Sequence, residues 1–333
     1  MSTLRKLFEP RLPSEAIGLS GEGACVVSLD HRRGDVFNVR KAAYAALREG
    51  LVRPSFDEQN ISDTAELADA LAELVTNVGL LKRRRWSVAL PEAAARTSIL
   101  TLEGTPSSRG EREEMLRWKT ERTVGASLDE LRVGRERLRP DSQGRDRYLL
   151  TAVRLSVLSE YERVFEALGW QTGLMLPRHA GEAWWLMRRG GAAAAGDSLL
   201  VSSHREGFTA GVFRAGQPML LRSVICDPED RADELYRFVL FYRDRNAPPP
   251  GEPEAANAVA SAAPAAAPDE TIETMLVAGT GLDAAEAGAI VRETLSVPPR
   301  ALGPGDLRLS FPSGQLDFNL IAAPAGLAAL AWA

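Results

Sequence analysis

Three glycine-containing segments hold the residue types that could bind an anionic ligand. They lie at residues 18–27, 201–209 and 279–281. Glycine lets a turn bring several backbone N–H groups close to a phosphate, because no side chain blocks the approach. The same glycines also fit plain hairpin or strand-to-helix turns, so that interpretation stays open. No GxSxG, HExxH or Walker motif occurs that would specify a hydrolase or a phosphate-binding loop directly.

The histidines and cysteines do not predict a metal site. His31, His179 and His204 have no ligand spacing to one another or to the two cysteines. Cys25 and Cys226 are about two hundred positions apart and lack CxxC spacing, so neither a disulfide framework nor a structural zinc is expected. A reducing compartment is the default for such a chain.

The composition is that of a globular protein with a substantial core. Of 333 residues, 45% are hydrophobic and 26% are charged, and the formal net charge is −5. This acidic balance argues against a non-specific nucleic-acid binder, which needs a basic face. The first residues contain no apolar run typical of a signal peptide, and no stretch of about 18 apolar residues predicts a membrane-spanning helix. We therefore expect a cytoplasmic protein.

Strands and helices are predicted to position the first glycine segment. Residues 15–29 are typical of a strand, a glycine turn and a second strand, whereas residues 35–47 give a less clear pattern. Apolar residues recur at helical spacing over 65–78, and Ser62 is the predicted N-cap of that helix. Residues 85–91 predict a short buried strand that ends at a proline.

The block from 96 to 169 has its own order of elements. It predicts strand, helix, strand, strand and a closing helix, which together make a compact α+β module. The strands are expected at 97–102, 131–138 and 148–155, and the helices at 110–123 and 159–168. Ser159 is the predicted N-cap of the closing helix.

The second half of the chain also begins with a glycine-punctuated hairpin, which suggests a weak duplication. Residues 247–269 are rich in proline and alanine and predict a flexible insertion loop, because they cannot bury enough apolar surface to offset the entropy of ordering. Helices are expected at 177–189, 231–245 and 283–295, strands at 199–203, 208–213, 219–224 and 272–277, and a buried terminal helix at 322–333.

Several segments resemble a known family when they are taken together. They are LADALAEL at 67–74 with WSVALP at 86–91, the helix at 111–123, LLTAVRLSVLSEYERVFEALG at 149–169, RFVLFYR at 237–243 and VAGTGL at 277–282. In this order and spacing they resemble the PilM family of type IV pilus assembly proteins. That family is actin-like and related to FtsA and to the cytoplasmic domain of GspL, and the resemblance runs nearly end to end.

The resemblance implies an α/β fold of the actin-like (ribonuclease H-like) type, with two lobes and an inserted strand-helix-strand-strand subdomain. It divides the chain into a first lobe, an SHS2-like insertion, a return to the first lobe, a second lobe that carries the 247–269 loop, and a C-terminal helix that packs back on the first lobe. The corresponding ranges are 1–95, 96–169, 170–195, 196–322 and 323–333.

The resemblance also locates a nucleotide site, and this chain departs from the family pattern there. In the first hairpin, Ser20 stands at the aspartate position, Glu22 at a glycine position and Val27 at the lysine position. In the second hairpin, Ser202 replaces the aspartate and His204 replaces a glycine. Both acidic positions that would organise Mg²⁺ are lost, so a pseudo-ATPase without a metal site is expected.

Only the third glycine segment keeps the family pattern. Gly279, Thr280 and Gly281 would lie against the adenosine if a nucleotide binds. No cofactor is expected, although ATP binding stays open.

The resemblance further implies a partner. Members of this family bind the short N-terminal cytoplasmic tail of PilN, an inner-membrane protein, so we expect a PilN-like partner, contact with other pilus or secretion components, no nucleic acid and only peripheral membrane association. The module at 96–169, and not the cleft, is expected to be the working surface. An active actin-like ATPase and a GspL-like component of a type II secretion system are the alternatives.

Two further clusters have both a structural and a functional interpretation. The basic run at 82–85 fits a solvated helix end or a surface for anionic lipid. Trp184 and Trp185 fit a core with an edge contact better than a peptide groove.

Overall fold

The computed structural model describes residues 12–32, 35–104, 106–189, 196–246, 271–311 and 316–333. Three sheets with helices packed against them make up these parts of the chain, which confirms the mixed α/β class. The predicted flexible loop at 247–269 lies outside the described residues. None of the helices within the described ranges is both long and apolar enough to cross a membrane.

The strands and helices are numbered separately in chain order. The strands are β1 (Glu15–Leu19), β2 (Gly23–Arg32), β3 (Val36–Ala46), β4 (Arg85–Leu90), β5 (Arg96–Thr101), β6 (Leu131–Leu138), β7 (Arg147–Arg154), β8 (Gln171–Pro177), β9 (Asp197–His204), β10 (Gly207–Arg214), β11 (Gln217–Ile225), β12 (Ile272–Gly279), β13 (Arg300–Ala301) and β14 (Leu309–Ser310). The helices are α1 (Thr64–Asn77), α2 (Arg109–Val124), α3 (Leu155–Ala167), α4 (Arg178–Arg189), α5 (Arg231–Asn246), α6 (Ala284–Leu295) and α7 (Phe318–Ala329).

The two larger sheets repeat one topology. In the first, β3, β2 and β1 form an antiparallel meander, and β4 and β8 continue the sheet parallel to β1. In the second, β11, β10 and β9 form the meander, and β12 and β13 continue it parallel to β9. This repetition gives the chain two similar lobes and agrees with the duplication that the glycine hairpins suggest.

The small third sheet is built only from the middle of the chain. Its order is β5-β7-β6, with both pairings antiparallel. Its helix α2 is capped at the N-terminus by Ser108, whose hydroxyl accepts the Glu111 N–H. The C-terminal cap is Gly125, in the left-handed conformation with φ 73°. The order strand, helix, strand, strand and helix agrees with the pattern in the sequence.

Two predicted helix caps are wrong. The carboxylate of Asp63, not Ser62, accepts the N–H groups of Ala65 and Glu66 at the start of α1. The Ser62 hydroxyl instead donates to the Leu51 carbonyl. Helix α3 follows β7 directly at Arg154 without a side-chain cap, so Ser159 lies inside the helix. In both cases a neighbouring carboxylate or a strand-to-helix junction sets the start, which hydroxyl preference alone does not reveal.

Four strands escape the sequence patterns, and two of them, β13 and β14, have only two residues each. Strand β3 alternates poorly, and many of its side chains are partly exposed. Only the two-residue strand β14 pairs with its outer edge. Strand β8 forms the opposite edge of the same sheet, and Gly173 lies within it. Edge strands need not be buried on both faces, so they lack the continuous apolar run of β1.

The C-terminal helix α7 lies between the two larger sheets. It begins at Phe318 and not at the predicted boundary of 323, and it packs against α4, β1, β2, β4 and β12. Its helical core residues Ile321, Ala325 and Ala328 share one apolar cluster with Val27 of the first sheet and Leu276 of the second. The helix therefore contacts both sheets and not only the first lobe.

Small residues let α7 approach its neighbours closely. Where α7 crosses α4, a side chain at Gly326 would collide with the Gly181 backbone, and one at Gly181 would collide with the Ala323 carbonyl. Trp185, on α4, donates its indole N–H to the Ala322 carbonyl at 2.9 Å. The interpretation of the Trp184–Trp185 pair as core with an edge contact is confirmed, since Trp185 is fully buried and Trp184 packs edge-on against Phe37.

Pro324 interrupts the hydrogen-bond ladder inside α7. Proline has no N–H, so the carbonyl four residues earlier, at Leu320, loses its helical donor. The Cys25 thiol donates to that carbonyl at 3.1 Å. Burial raises the pKa of Cys25 to about 11, although the positive charge of Arg178 opposes this shift. The thiol is therefore protonated and able to donate.

We predict that Gly326→Ala destabilises the protein by about 1–3 kcal/mol, because the added methyl group must push two backbones apart. Gly288→Ala, in α6, is the matched control, since its new methyl would meet only the tip of Met275 at 3.7 Å. That control should gain about 0.5–1 kcal/mol. Urea unfolding measures both values, and equal stabilities for the two variants would contradict the close crossing.

Candidate functional site

The parallel strands of both sheets end at one cleft between the lobes. Ser20 follows β1, Glu92 follows β4, His204 ends β9, and Thr280 follows β12. Ligands of α/β sheets bind outside the carboxyl ends of such strands, so this is the expected place for a site. The four residues line a single cavity of about 30 Å³. That volume is about the share of one water molecule in the liquid.

The first hairpin uses its own N–H groups. The Ser20 hydroxyl accepts the N–H of Gly23 at 3.0 Å and that of Glu22 at 3.3 Å. Ser20 N–H in turn donates to the Gly23 carbonyl at 2.9 Å. Two donors that a phosphate would need are therefore paired inside the turn, and the Glu22 carboxylate adds a negative charge beside them.

The second hairpin turns through Arg205 and Glu206. The guanidinium of Arg231, at the start of α5, donates to the carbonyls of His204 at 2.7 Å and Arg205 at 2.6 Å. Glu206 contacts His204 Nδ1 at 3.1 Å. Burial would raise the pKa of Glu206, but the hydrogen bond from His204 and backbone N–H donation hold that pKa below its usual value. A second carboxylate is thus held charged in the cleft.

The third glycine segment packs against the second hairpin. Gly279 and Gly281 have positive φ angles of 87° and 102°. The Ser203 carbonyl occupies the space of a side chain at Gly279, and the Arg231 guanidinium occupies that at Gly281. Of the three predicted residues, Thr280 alone lines the cavity. Both glycines therefore have a packing reason that is independent of any ligand.

Thr280 links the third segment to both hairpins. Its N–H donates to the Ser203 carbonyl at 3.1 Å, and its carbonyl accepts the Ser203 hydroxyl at 2.6 Å. Across the cleft its hydroxyl lies 3.5 Å from Glu22 Oε2. These contacts hold the three glycine segments together around the small cavity.

Glu92 forms the centre of a buried polar cluster that the sequence patterns missed. One of its oxygens accepts the Thr209 hydroxyl at 2.6 Å and contacts His179 Nδ1 at 2.5 Å, and the other accepts the His179 N–H at 3.1 Å. The cluster connects the lobes, because Glu92 follows β4 and Thr209 lies on β10. The sequence signal for this cluster was an acidic residue that follows a buried strand. Pro91, which lies between that strand and Glu92, obscured the signal.

The charges in this cluster stabilise one another. Burial alone would raise the pKa of Glu92, but the charge and hydrogen bond of His179 and contributions from His204 and Thr209 lower it from 4.5 to about 2. Burial would lower the pKa of His179, yet the adjacent Glu92 raises it. The pair is therefore a buried carboxylate–imidazolium pair.

A second buried carboxylate lies beside the pair. Glu182 is fully buried, and its Oε1 contacts the Arg178 guanidinium at 3.4 Å. Burial raises its pKa, opposed by Arg178 and by the nearby Ser202 hydroxyl. Glu182 Oε2 and Ser202 Oγ have no hydrogen-bond partner within the described residues. An aspartate at position 202 would meet Glu182 here, which gives a physical reason for the serine.

The cavity lining combines negative and positive side chains. Glu22, Glu92 and Glu206 line it together with Arg178 and Arg205. Within the described residues, no group of three or more histidine, cysteine, aspartate or glutamate side chains is placed to hold a metal ion.

Asp197 has a structural role at the opposite end of β9. It accepts Arg214 Nε at 2.7 Å and the Tyr242 hydroxyl at 2.7 Å. It lies buried at the first position of the strand. It contributes nothing to the cleft, which lies at the carboxyl end.

Comparison with solved structures identifies the fold. A chain of the PilM–PilN type IV pilus biogenesis complex matches with a TM-score of 0.73 at 16% sequence identity. The match covers 97% of this chain and 99% of that chain. This chain shares the fold of that pilus-biogenesis protein. The PilM resemblance that the sequence segments carry is thereby confirmed at the level of the fold.

Two other solved structures are more distantly similar. A Bacteroides thetaiotaomicron protein with an actin-like ATPase fold and unknown function matches at 11% identity and a TM-score of 0.46, covering 97% of this chain and 98% of that chain. The cytoplasmic domain of EpsL, an inner-membrane component of the type II secretion system of Vibrio cholerae, matches at 13% identity and a TM-score of 0.41, over 66% and 74%. Neither similarity is close enough to inform function. No protein-family model and no curated protein matches the sequence.

We predict that Glu92→Gln costs about 3–5 kcal/mol of unfolding free energy below pH ~6.5, because the buried His179 imidazolium loses its counter-charge. Glu66→Gln is the matched control and should change stability little, since the Glu66–Arg48 pair is exposed. Urea unfolding of both variants measures the difference.

The pH profile of the unfolding free energy tests the same pair. The His179 contribution is present below pH ~6.5 and is lost as pH rises through its raised folded-state pKa. The Glu92 contribution is present above 4.5 and is lost as pH falls toward about 2. Glu92→Gln should flatten both slopes, and an unchanged profile would contradict the buried charged pair.

Proposed function

We propose that this protein is a non-catalytic scaffold of a type IV pilus inner-membrane assembly complex. It would bind the N-terminal cytoplasmic tail of a PilN-like membrane protein and associate with the cytoplasmic face of the inner membrane through that partner. The observation that carries the proposal is the match to a chain of the PilM–PilN complex over 97% of this chain. Fold similarity alone leaves function open, so the sites must supply the rest.

The chemistry of the cleft supports a role without ATP hydrolysis. Ser20 pairs the hairpin donors that would hold phosphate, and Glu22 and Glu206 present negative charge to the same cavity. The aspartate positions of the family pattern are serines at 20 and 202. Hydrolysis of a phosphoanhydride needs positive charge or a metal where these groups lie.

A larger groove supports peptide binding. It has a volume of about 570 Å³ and lies between residues 54–57 of the first lobe, strand β5 of the inserted module and strand β11 of the second lobe. Both β5 and β11 are edge strands of their sheets, so neither has a strand partner within its sheet on its outer side, although the two strands contact each other along part of their length. An extended tail can pair with such an edge through its backbone while its side chains fill the groove.

Side chains around this groove suit a short apolar peptide. Ile225, at the end of β11, is 81% exposed, so its apolar side chain lies at the surface of the protein. Arg96 of β5 stacks over Phe56 at 4.2 Å and pairs with Asp57 at 3.0 Å, which joins the module to the first lobe. The groove thus has an apolar contact, polar ends and walls from three parts of the chain. Because strand β5 lines the groove, the module at 96–169 would form part of the partner-binding surface.

We predict that calorimetry detects no magnesium-dependent binding of ATP and that phosphate-release assays detect no turnover. The carboxylates and the 30 Å³ cavity are the physical reason. An active actin-like ATPase assayed in parallel serves as the positive control. Tight, magnesium-dependent binding between the lobes would instead support the ATPase alternative.

We predict that a labelled peptide with the sequence of the N-terminal cytoplasmic tail of a PilN-like protein binds this chain with saturable fluorescence anisotropy. Ile225→Asp should weaken this binding at least about tenfold, because a charge replaces the apolar contact in the groove. Val297→Asp is the matched control, since Val297 is 48% exposed and lies outside the groove. Equal binding by both variants would place the tail elsewhere, and no binding by the wild type would contradict the proposed function.

A further inference from the structure

A second large concavity lies at the end of the second sheet that faces away from the cleft. Its volume is about 620 Å³. Ser198 and Thr274 line it near the amino ends of β9 and β12, whereas the cleft lies at the carboxyl ends of the same strands. Any ligand bound here is therefore separated from the cleft by the length of the sheet.

Four arginines line this concavity, which we call the arginine pocket. Arg188 and Arg189 end helix α4, Arg300 begins β13, and Arg308 precedes β14. The chain as a whole carries a formal net charge of −5, so this cluster is opposite in sign to the protein. Three carboxylates share the pocket, at Asp35, Glu273 and Asp306, which leaves an excess of positive charge.

Arg188 has a structural role in the pocket wall. Its guanidinium pairs with Asp35, donates to the Leu307 carbonyl at 3.2 Å and lies 4.8 Å from the centre of the Phe37 ring. Cations at a helix end also complement the helix dipole. Arg188 is therefore part of the wall, since its side chain is only 13% exposed, and it is not counted as a ligand-binding group. Arg300 and Arg308 also pair with carboxylates, at Asp306 and Asp35, but their side chains are 56% and 62% exposed.

Arg189 has far fewer partners. Within the described parts of the chain, its one hydrogen bond goes from Nη1 to the Asp306 carbonyl at 3.1 Å. The Asp306 carboxylate itself pairs with Arg300 at 2.5 Å. Partial burial and the charges of Arg300 and Arg308 lower the pKa of Arg189, while Asp306 opposes them. The guanidinium groups thus repel one another, and an anion between them would relieve that repulsion.

The backbone of the pocket rim is held in an uncommon conformation. Asp35 and Arg308 have φ angles of 61° and 55°, in the left-handed region that non-glycine residues rarely adopt. The Phe37 N–H donates to the Arg308 carbonyl at 2.9 Å, which ties the two rim segments together. Backbone conformations of this kind cluster at active sites and ligand-binding sites. The hydroxyls of Ser198 and Thr274, 2.8 Å apart, provide further polar groups on the wall.

We propose that the arginine pocket binds a phosphate-type oxyanion through Arg189, Arg300 and Arg308. Guanidinium groups recognise phosphate oxygens with paired N–H donors, and the concavity has the volume of a small-molecule site. A soluble phosphorylated compound and the headgroup of an anionic lipid carry the same chemistry. The arginine pocket is separate from the tail-binding groove, and anion binding in the pocket does not require the proposed scaffold function.

Two binding assays distinguish the sources. Calorimetry with pyrophosphate tests for a soluble ligand, and sedimentation with phosphatidylglycerol–phosphatidylcholine vesicles, against vesicles of phosphatidylcholine alone, tests for a headgroup. Arg189→Gln and Arg300→Gln should each weaken binding in the responding assay about ten- to a hundredfold. Arg132→Gln removes the same charge from an exposed position on strand β6, outside the pocket, and should leave binding unchanged. Circular dichroism checks that all variants are folded.

Each outcome decides the proposal. Pyrophosphate binding that both pocket variants weaken supports a soluble ligand, and vesicle binding that they alone weaken supports a lipid headgroup. Binding that Arg132→Gln weakens as much as Arg189→Gln reports general electrostatic attraction and overturns the pocket. Absence of wild-type binding in both assays overturns it as well.

Discussion

The close crossing of helices α4 and α7 is the constraint on which the relation of the two lobes depends. At Gly181 and Gly326 the helix backbones touch, which brings α7 deep enough to contact both larger sheets. Alanines at 322, 323, 325, 328 and 329 keep the remaining surface of α7 narrow, and all five are fully buried. A bulkier helix would hold the sheets apart and change every site at their boundary.

The same helix shapes the cleft. Leu320, Ala323 and Pro324 form one wall of the small cavity, and the Cys25 thiol compensates for the N–H that proline lacks. From the opposite side, the buried pair of Glu92 and His179 joins the lobes through Thr209. Buried charge pairs are costly to desolvate, and hydrophobic replacements are often as stable, so their value here lies in the specific position they impose on the lobes. The cleft is built as a joint between the lobes.

Three concave sites follow from this arrangement, and each lies where parts of the chain that are distant in sequence meet. The cleft collects the carboxyl ends of parallel strands, the groove beside β11 collects two sheet edges, and the arginine pocket collects the amino ends of β9 and β12 with the end of α4. Their chemistry differs sharply. Three carboxylates meet two arginines and a histidine in the cleft, Ile225 gives the groove an exposed apolar contact, and four guanidinium groups line the pocket.

The sequence by itself determined the mixed α/β class, the order of elements in the inserted module, the duplicated hairpins and the departures at Ser20, Glu22, Ser202 and His204. Local signals carry all of these, because apolar periodicity, glycine turns and motif spacing act over a few residues. Weakly covered edge strands such as β3 and β8 gave no such signal.

Only the tertiary structure decided the environment of each site. The pairing of Glu92 with His179 joins positions 87 residues apart, and Arg231 reaches the second hairpin from another element. The tertiary structure also shows why glycine is needed at 279 and 281: a side chain there would collide with the Ser203 backbone or with the Arg231 guanidinium. The physical reason is that burial, charge pairing and close backbone contact depend on which distant elements meet, and local patterns do not contain that information.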